Sequence, residues 1–403
     1  MLQRAGDKYN SGLFIFARRN ITWKEVIKVE WKLGWYHSCD NYRTLPFTFP
    51  ELTEVIQAVI NLSGKAVRLN LSNLYGKTKL VFQKVEVSLD EKFHVKQTAT
   101  FNGVARAEIV QGTIIMSDPV WLKVSAGMKL YVKLSSCVKQ TYSDFCCTYD
   151  TTMTNAAFVR NYKGLPHLQR SMTARRGWFC LNEINILTDN MPGIINMTGD
   201  SLVEMGQISA SVAEVMYRAY PEEVVVVNTG ISGGRLLYDA PDDEQLYQTF
   251  GLSLLKRAST EAQKINPIWT IAFIGSNDLL MPLLSKEAAG QTVTVETFLQ
   301  GILQLRRTLV ERNSRFILGT ILPFSLGHGT VPHTSRYIQA VEKRFKINQQ
   351  LYLLPETIDC SRIVEDENHC LKAEYDFGDH LHLNKRGGQK IAAAICAKIS
   401  AGD

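Results

Sequence analysis

The apolar residues change their spacing near residue 180, and this change limits the folds that are open to the chain. Before that point they recur at every second position in short runs, as in Val67–Ser72, Val85–Leu89 and Met128–Leu134. A period of two is typical of half-buried strands, and turn signals such as Asn102-Gly103 separate the runs. We therefore predict an all-β module over residues 1–185, built as an antiparallel, jelly-roll-like sandwich.

After residue 190, continuous apolar runs alternate with amphipathic helical stretches. The strand candidates are Ile194–Met197, Val224–Val227, Ile268–Ile274 and Phe316–Leu322. Strands that are apolar on both faces are typical of a parallel sheet covered by helices, so the alternation indicates an α/β fold. We predict a second domain over residues 186–403 with a doubly wound parallel sheet of about five strands. An active site in such a sheet lies outside the carboxyl ends of the strands.

Charge and composition argue against several classes of partner. The 403 residues include 45 basic and 39 acidic side chains, giving a net charge of +6, but the two signs are interspersed and no basic run exceeds two residues. We expect no nucleic-acid binding. The N-terminus lacks a secretory pattern and the apolar run Leu13–Ala17 is too short to span a membrane, so we expect a cytoplasmic protein without a membrane span.

Cysteine usage favours reduced thiols. The eight cysteines have no repeated spacing and no zinc-type CxxC pair, which in a cytoplasmic chain indicates free thiols and no structural metal. The adjacent pair Cys146-Cys147 could be redox-active, although buried, unreactive thiols are the commoner case. We predict no metal and no cofactor.

A serine follows the first strand of the α/β domain. Gly199-Asp200-Ser201-Leu202 comes directly after the strand, and a helix begins near Glu204. A serine on such a turn presents its hydroxyl at the carboxyl edge of the sheet, where backbone N–H groups can face an oxyanion. The same serine would also be a good helix N-cap, so this motif alone does not decide between the two roles.

Three further segments fall on loops at the same edge. The glycines of residues 228–235, in the loop after Val224–Val227, would let a backbone N–H approach a substrate closely, and Asn277, after Ile268–Ile274, offers an amide donor. Near the C-terminus, residues 376–382 precede the final helix and provide an acid and a base. Together with Ser201 they form a complete set of parts for acyl transfer.

These four segments, in this order, resemble the conserved blocks of the SGNH (GDSL) hydrolase superfamily. The resemblance implies a flavodoxin-like hydrolase domain in which Ser201 is the nucleophile and Asp379 and His382 complete a triad. It also implies an oxyanion hole formed by the N–H groups of Ser201 and Gly233 and the side chain of Asn277. The N-terminal module, with segments such as Ala66–Gly76 and Met116–Val120, resembles the β-sandwich of one branch of this superfamily.

Two local features depart from the family pattern. The block Val203–Gly206 replaces the commoner Thr-Asp-Gly, and Leu383 stands where many members have proline. Neither position is a catalytic group, so only the loop geometry is in question.

Several residues admit a second interpretation. His380 with Asp376 could replace His382 with Asp379, and these four side chains could instead bind a metal, although we favour the triad. Asp200 is either a loop anchor or an orienting group, and Arg235 is more consistent with a structural ion pair than with a substrate contact. The aromatic residues Trp23, Trp31, Trp35 and Tyr36 suit core packing better than sugar stacking, whereas the segment 324–333 could line the substrate site.

The sequence thus predicts a carboxylic-ester hydrolase for small acyl groups, with acetyl on a carbohydrate as one candidate. Its partner would be a small-molecule or carbohydrate ester. The alternatives are a lipase or thioesterase for longer acyl chains and a catalytically idle module that binds glycan or protein. The acyl group, the alcohol, the oligomeric state and the contribution of the β module to the site stay open at this point.

Overall fold

The computed structural model describes residues 29–159, 177–325 and 335–402. Trp23, the apolar run Leu13–Ala17 and most of the predicted substrate loop 324–333 lie outside the described residues. Within them, the pairing of the strands changes from antiparallel to parallel along the chain. We describe the two regions in turn.

The N-terminal module is built from short antiparallel strands. The strands are Glu30–Tyr36 (β1), Asp40–Asn41 (β2), Phe47–Phe49 (β3), Leu52–Ile60 (β4), Val67–Asn73 (β5), Leu80–Phe82 (β6), Lys84–Ser88 (β7), Gln97–Thr98 (β8), Ala107–Ile109 (β9), Thr113–Met116 (β10), Met128–Ser136 (β11), Gln140–Tyr142 (β12), Asp144–Cys147 (β13), Thr154–Val159 (β14), Gly177–Phe179 (β15) and Leu181–Thr188 (β16). The larger sheets have four strands in the order β1-β16-β5-β10 and five strands in the order β14-β4-β11-β7-β8.

In strands such as β5, the period of two in the sequence corresponds to one fully buried face. In β5, Val67, Leu69 and Leu71 are fully buried while the residues between them are half-buried. Leu69 from the four-stranded sheet and Ile56 from the five-stranded sheet belong to one core, so the two sheets bury their apolar faces together. The jelly-roll-like topology itself stays a prediction.

The parallel sheet begins at Gly193. Strand β16 pairs with β1 as far as Thr188, so antiparallel pairing continues three residues past 185, where we predicted the domain boundary. The change to parallel pairing therefore falls between Thr188 and Gly193.

Five parallel strands form the sheet of the C-terminal region in the described part of the chain. They are Gly193–Gly199 (β17), Val224–Gly230 (β18), Trp269–Phe273 (β19), Arg315–Gly319 (β20) and Thr357–Ile358 (β21), in the order β18-β17-β19-β20-β21. The parallel α/β sheet predicted from the sequence is thus confirmed. Numbered from β17, the order is 2-1-3-4-5. The second strand lies on one side of β17 and the later strands lie on the other side, which makes the position beside β17 the switch point of the sheet.

Helices connect these strands and cover the sheet. They are Ser201–Glu204 (α1), Gln207–Ala219 (α2), Leu254–Ile265 (α3), Ser276–Leu284 (α4), Val295–Glu311 (α5), Ser335–Leu351 (α6), Cys360–Val364 (α7) and Lys385–Ser400 (α8), with 3-10 turns at Tyr247–Phe250 and Glu287–Gly290. In α5 the predicted stripe is buried: Phe298, Ile302, Leu305 and Leu309 each expose 2% or less. No helix in the described ranges is both long and apolar enough to cross a membrane.

The β module is joined to one edge of the parallel sheet. His37, just beyond β1, forms a parallel bridge with Asn228 of the edge strand β18, and the Ser38 N–H donates to the Asn228 carbonyl at 2.9 Å. Val225 and Val227 of β18 pack into the core of the module. The two regions therefore share a continuous interface rather than a flexible link.

Candidate active site

Ser201 is the first residue of the short helix α1, directly beyond the carboxyl end of β17. Asp200, and not Ser201, caps this helix: its Oδ1 accepts from the Leu202 N–H at 3.0 Å. The N-cap interpretation of Ser201 is therefore wrong, because the neighbouring carboxylate already satisfies the free N–H of the first turn. This leaves the Ser201 hydroxyl available for another partner.

That partner is His382. The distance from Ser201 Oγ to His382 Nε2 is 2.8 Å, and His382 Nδ1 lies 2.7 Å from Asp379 Oδ2. The other carboxylate oxygen of Asp379 accepts the backbone N–H groups of Leu381 and His382 at 3.1 and 2.8 Å. Since an ionised carboxylate can only accept, the proton of a neutral His382 lies on Nδ1 and Nε2 accepts from the serine.

The two aspartates of the site have pKa values that are shifted in opposite directions. Burial favours the neutral form of Asp379, but its hydrogen bond to His382 and the attraction of that ring outweigh burial and hold its pKa well below the usual range. Asp200 is 1% exposed, and its burial raises its pKa to about 7 against the opposing effect of the Leu202 N–H. Asp379 is thus kept as an anion beside the imidazole, whereas the charge of Asp200 depends on pH near neutrality.

The predicted oxyanion donors lie on the loops after β18 and β19. Asn277 Nδ2 donates to the Gly234 carbonyl at 3.1 Å and lies 3.4 Å from Asp200 Oδ2, so this amide connects the glycine loop to the residue before the serine. The Gly233 N–H has no acceptor among the described residues. The structure thus brings Ser201, Gly233 and Asn277 to the same edge.

Gly233 occupies a position that only glycine suits. Its φ is +74°, and a Cβ built there would lie 2.1 Å from Cγ of the Phe250 ring. A side chain would therefore strain the backbone and displace the ring. Phe250 lies directly against the loop that carries the free N–H.

Glu204 is a buried carboxylate that the sequence analysis did not single out. It is 1% exposed, and its Oε2 accepts both the N–H, at 2.9 Å, and the hydroxyl of Ser232. Because Ser232 precedes Gly233, this contact anchors the glycine loop to the helix that carries Ser201. Glu204 lies in the block Val203–Gly206, which departs from the family pattern, and this departure was the sign in the sequence that could have pointed to it.

A second histidine–aspartate pair lies on the same loop. His380 Nδ1 is 2.6 Å from Asp376 Oδ2, and Asp376 Oδ1 accepts the His380 N–H at 3.0 Å. The His380 side chain is 49% exposed, and the ring that contacts Ser201 is that of His382. No group of three metal-binding side chains occurs in the described residues, and each of these carboxylates is bound to its own imidazole.

The remaining candidates occupy structural positions. Arg235 is 2% exposed and donates to the Asp239 carbonyl, while Trp35 is buried and donates to Thr154 Oγ1 at 3.0 Å. Trp31 and Tyr36 are half-buried, each with a cationic side chain over its ring. Cys146 and Cys147 are buried, and burial raises the pKa of both thiols. Of the segment 324–333, the structure describes only the start, where the Ser325 N–H donates to the His380 carbonyl at 2.8 Å.

Comparison with known proteins gives matches among solved structures only. No protein-family profile and no curated protein sequence matches the chain. A GDSL-like lipase from Bacteroides thetaiotaomicron is 16% identical over 52% of this chain and 89% of its own, with a TM-score of 0.37. An acetylxylan esterase from Geobacillus stearothermophilus is 18% identical over 52% of this chain and 95% of its own, with a TM-score of 0.39.

A third match is an alpha/beta hydrolase from the metagenome of Lake Arreo, which is 16% identical over 52% of this chain and 97% of its own, with a TM-score of 0.38. At these identities and scores the matches say nothing about substrate. The resemblance of this chain to the SGNH (GDSL) hydrolases therefore rests on its own sequence motifs.

Proposed function

We propose that this protein is a serine esterase that hydrolyses carboxylic esters of small acyl groups through an acyl-enzyme. The observation that carries the proposal is the unbroken hydrogen-bonded chain from Ser201 through His382 to Asp379, at 2.8 and 2.7 Å. A serine hydroxyl is a weak nucleophile unless a base removes its proton, and a neutral imidazole oriented by a carboxylate does this.

The proposed reaction has two halves. Ser201 Oγ attacks the ester carbonyl carbon while its proton passes to His382 Nε2, and the resulting imidazolium is stabilised by Asp379. The C–O bond to the alcohol then breaks as His382 returns the proton to the leaving oxygen. Water repeats the sequence on the acyl-enzyme, releasing the carboxylic acid and restoring the serine.

The negative charge on the carbonyl oxygen needs donors in both halves. The N–H groups of Ser201 and Gly233 and the amide of Asn277 are the proposed donors. In the free protein Asn277 makes a long contact of 3.4 Å with Asp200. That contact is weak enough for the amide proton to turn toward an oxyanion, while the 3.1 Å bond to the Gly234 carbonyl holds the side chain in place.

Two features support a small acyl group and a hydroxylated alcohol. The Phe250 ring lies against Gly233 and limits the room beside the oxyanion donors. The half-exposed His380, two residues from His382, offers a hydrogen-bonding group to an alcohol such as a sugar. We propose acetyl esters of carbohydrates as the substrate class on these grounds.

The test uses p-nitrophenyl esters of increasing chain length, an acetylated oligosaccharide and a fluorophosphonate probe. We expect the wild-type protein to be labelled at Ser201 and to favour acetate over octanoate. Ser201→Ala should abolish labelling and turnover without changing thermal unfolding, whereas Ser259→Ala, a serine of α3, should behave as wild type. Absence of labelling in the wild-type protein would contradict the proposal, and a preference for octanoate would replace the small-acyl assignment with a lipase.

A further inference from the structure

We infer that Tyr149 of the β module is a positioning residue that holds the nucleophile and the base of the proposed esterase in register. The inference rests on the proposed function, because it assigns a role within that same site. Tyr149 lies in the turn between β13 and β14 of the β module, and this turn packs against the residues that follow α1. Its backbone and its ring contact two different parts of the site.

The backbone contact leads to the nucleophile. The N–H groups of Tyr149 and Asp150 both donate to the Met205 carbonyl, at 2.7 and 3.1 Å, and the Met205 N–H donates to the Ser201 carbonyl at 3.0 Å. Met205 caps the C-terminal end of α1, a helix of only four residues. Such a short helix has almost no stability of its own, so its orientation depends on contacts of this kind.

The ring contact leads to the base. The Tyr149 ring meets the Phe377 ring edge to face, with centroids 5.6 Å apart. Phe377 belongs to the loop that carries Asp379 and His382, and its N–H donates to the His382 carbonyl at 2.9 Å. A single intermediate residue therefore separates Tyr149 from Ser201 on one side and from His382 on the other.

The surrounding sequence accommodates this close approach. Gly206, next to Met205, has a φ of +94°, and a Cβ there would lie 2.7 Å from Thr148 Oγ1 and 3.3 Å from the Asp150 Cβ. A larger residue at 206 would push the 148–150 turn away from α1. Farther along the same segment, Thr152 accepts a hydrogen bond from Lys385, the first residue of α8 after the triad loop.

The physical consequence is that two loops from distant parts of the chain share one support. Ser201 and His382 are 181 residues apart and meet through one hydrogen bond. A serine that must pass its proton along that bond loses rate steeply with misalignment, and a displacement of about 1 Å can cost about 100-fold. Truncation of the Tyr149 ring removes its contact with Phe377, whereas the backbone hydrogen bond from Tyr149 to Met205 remains.

The experiment compares Tyr149→Ala, Tyr149→Phe and Phe377→Ala in the full chain with p-nitrophenyl acetate, which is too small to need distant binding contacts. We expect Tyr149→Ala and Phe377→Ala to lower kcat by about 10- to 100-fold with KM changed by less than about twofold. Tyr149→Phe keeps the ring and should retain wild-type kcat. The double variant should be no slower than the slower single variant, because both changes remove the same contact.

The control is Phe101→Ala, which removes a ring of the β module that is 8% exposed and so more deeply buried than the half-buried Tyr149. It should lower the thermal unfolding temperature without lowering kcat. A wild-type kcat in folded Tyr149→Ala or Phe377→Ala would overturn the inference. Phe377 is 45% exposed, so its truncation is tolerated by the fold even where that of Tyr149 is not.

A readout without turnover separates this inference from the proposed function. We expect the His382 Nδ1 proton, which is hydrogen-bonded to Asp379, to give a low-field proton resonance that is lost in His382→Ala. We expect this signal to weaken or shift in Tyr149→Ala and to persist in Tyr149→Phe. If the wild-type protein were inactive, the proposed esterase function would be refuted, but this signal would still test the positioning role of Tyr149. If the signal were unchanged in Tyr149→Ala, only the positioning role of Tyr149 would be refuted.

Discussion

Two histidine–aspartate pairs lie within seven residues of one loop and have nearly the same geometry. In one, His382 binds Asp379 at 2.7 Å, and in the other, His380 binds Asp376 at 2.6 Å. They differ in where the second nitrogen points: Nε2 of His382 lies 2.8 Å from Ser201 Oγ, while the His380 side chain is half-exposed. A local pairing of acid and base therefore does not by itself place an imidazole against a serine, and the third partner, brought in by the tertiary fold, distinguishes the two.

The largest expected difference is between the two histidines. His382→Ala removes the proposed base and should lower kcat/KM for p-nitrophenyl acetate by about 10,000-fold or more. His380→Ala removes a half-exposed imidazole whose partner is Asp376 and not Ser201, and should cost less than about fivefold. Steady-state kinetics on both variants provide the measurement, and an equal loss in the two would mean that the rival pair shares the proton transfer.

The two aspartates should differ in the same sense. Asp379→Asn leaves the shape of the loop but favours the wrong tautomer of His382, and we expect kcat to fall by up to about 10,000-fold. Asp376→Asn keeps an oxygen that can accept from the Gly378 and His380 N–H groups, at 2.8 and 3.0 Å, and should leave kcat within about fivefold. A larger loss in Asp376→Asn than in Asp379→Asn would reverse our assignment.

The smallest expected effect is on the pH dependence of stability, where Asp379 and Asp200 should have opposite signs. The folded pKa of Asp379 is depressed, so its contribution is present above its unfolded value, about 4, and is lost as the pH falls below it. The folded pKa of Asp200 is raised to about 7, so its contribution is fully present below about 4 and is lost as the pH rises to 7.

Urea unfolding of the asparagine variants tests both signs. Asp379→Asn should flatten the loss of unfolding free energy below pH 4, and Asp200→Asn should flatten the decline between pH 4 and 7. The wild-type protein measured in the same buffers is the reference. A steeper slope in either variant would contradict the corresponding pKa direction.

The residues of the site differ in how far their roles could be predicted from the sequence. The parallel sheet and the loops with Gly233 and Asn277 were predictable, because continuous apolar strands place the following residues at one edge. The capping role of Asp200 was not, since Ser201 is an equally good cap by residue type and only the hydrogen bond from the Leu202 N–H to Asp200 distinguishes them. Glu204 was missed because a glutamate side chain is rarely buried, and here it is buried against the glycine loop.

By itself the sequence determined the type of each region and the residues that could carry chemistry. The spacing of apolar residues along a strand depends on whether one face or both faces of that strand meet a core, so it can be interpreted from a short stretch of sequence. The family resemblance already favoured His382 over His380, whereas only the tertiary structure showed the contact of His382 with Ser201 and the contact of the β module with the site through Tyr149. Those contacts join residues far apart in the chain, and their distances depend on how two separately patterned regions pack against each other.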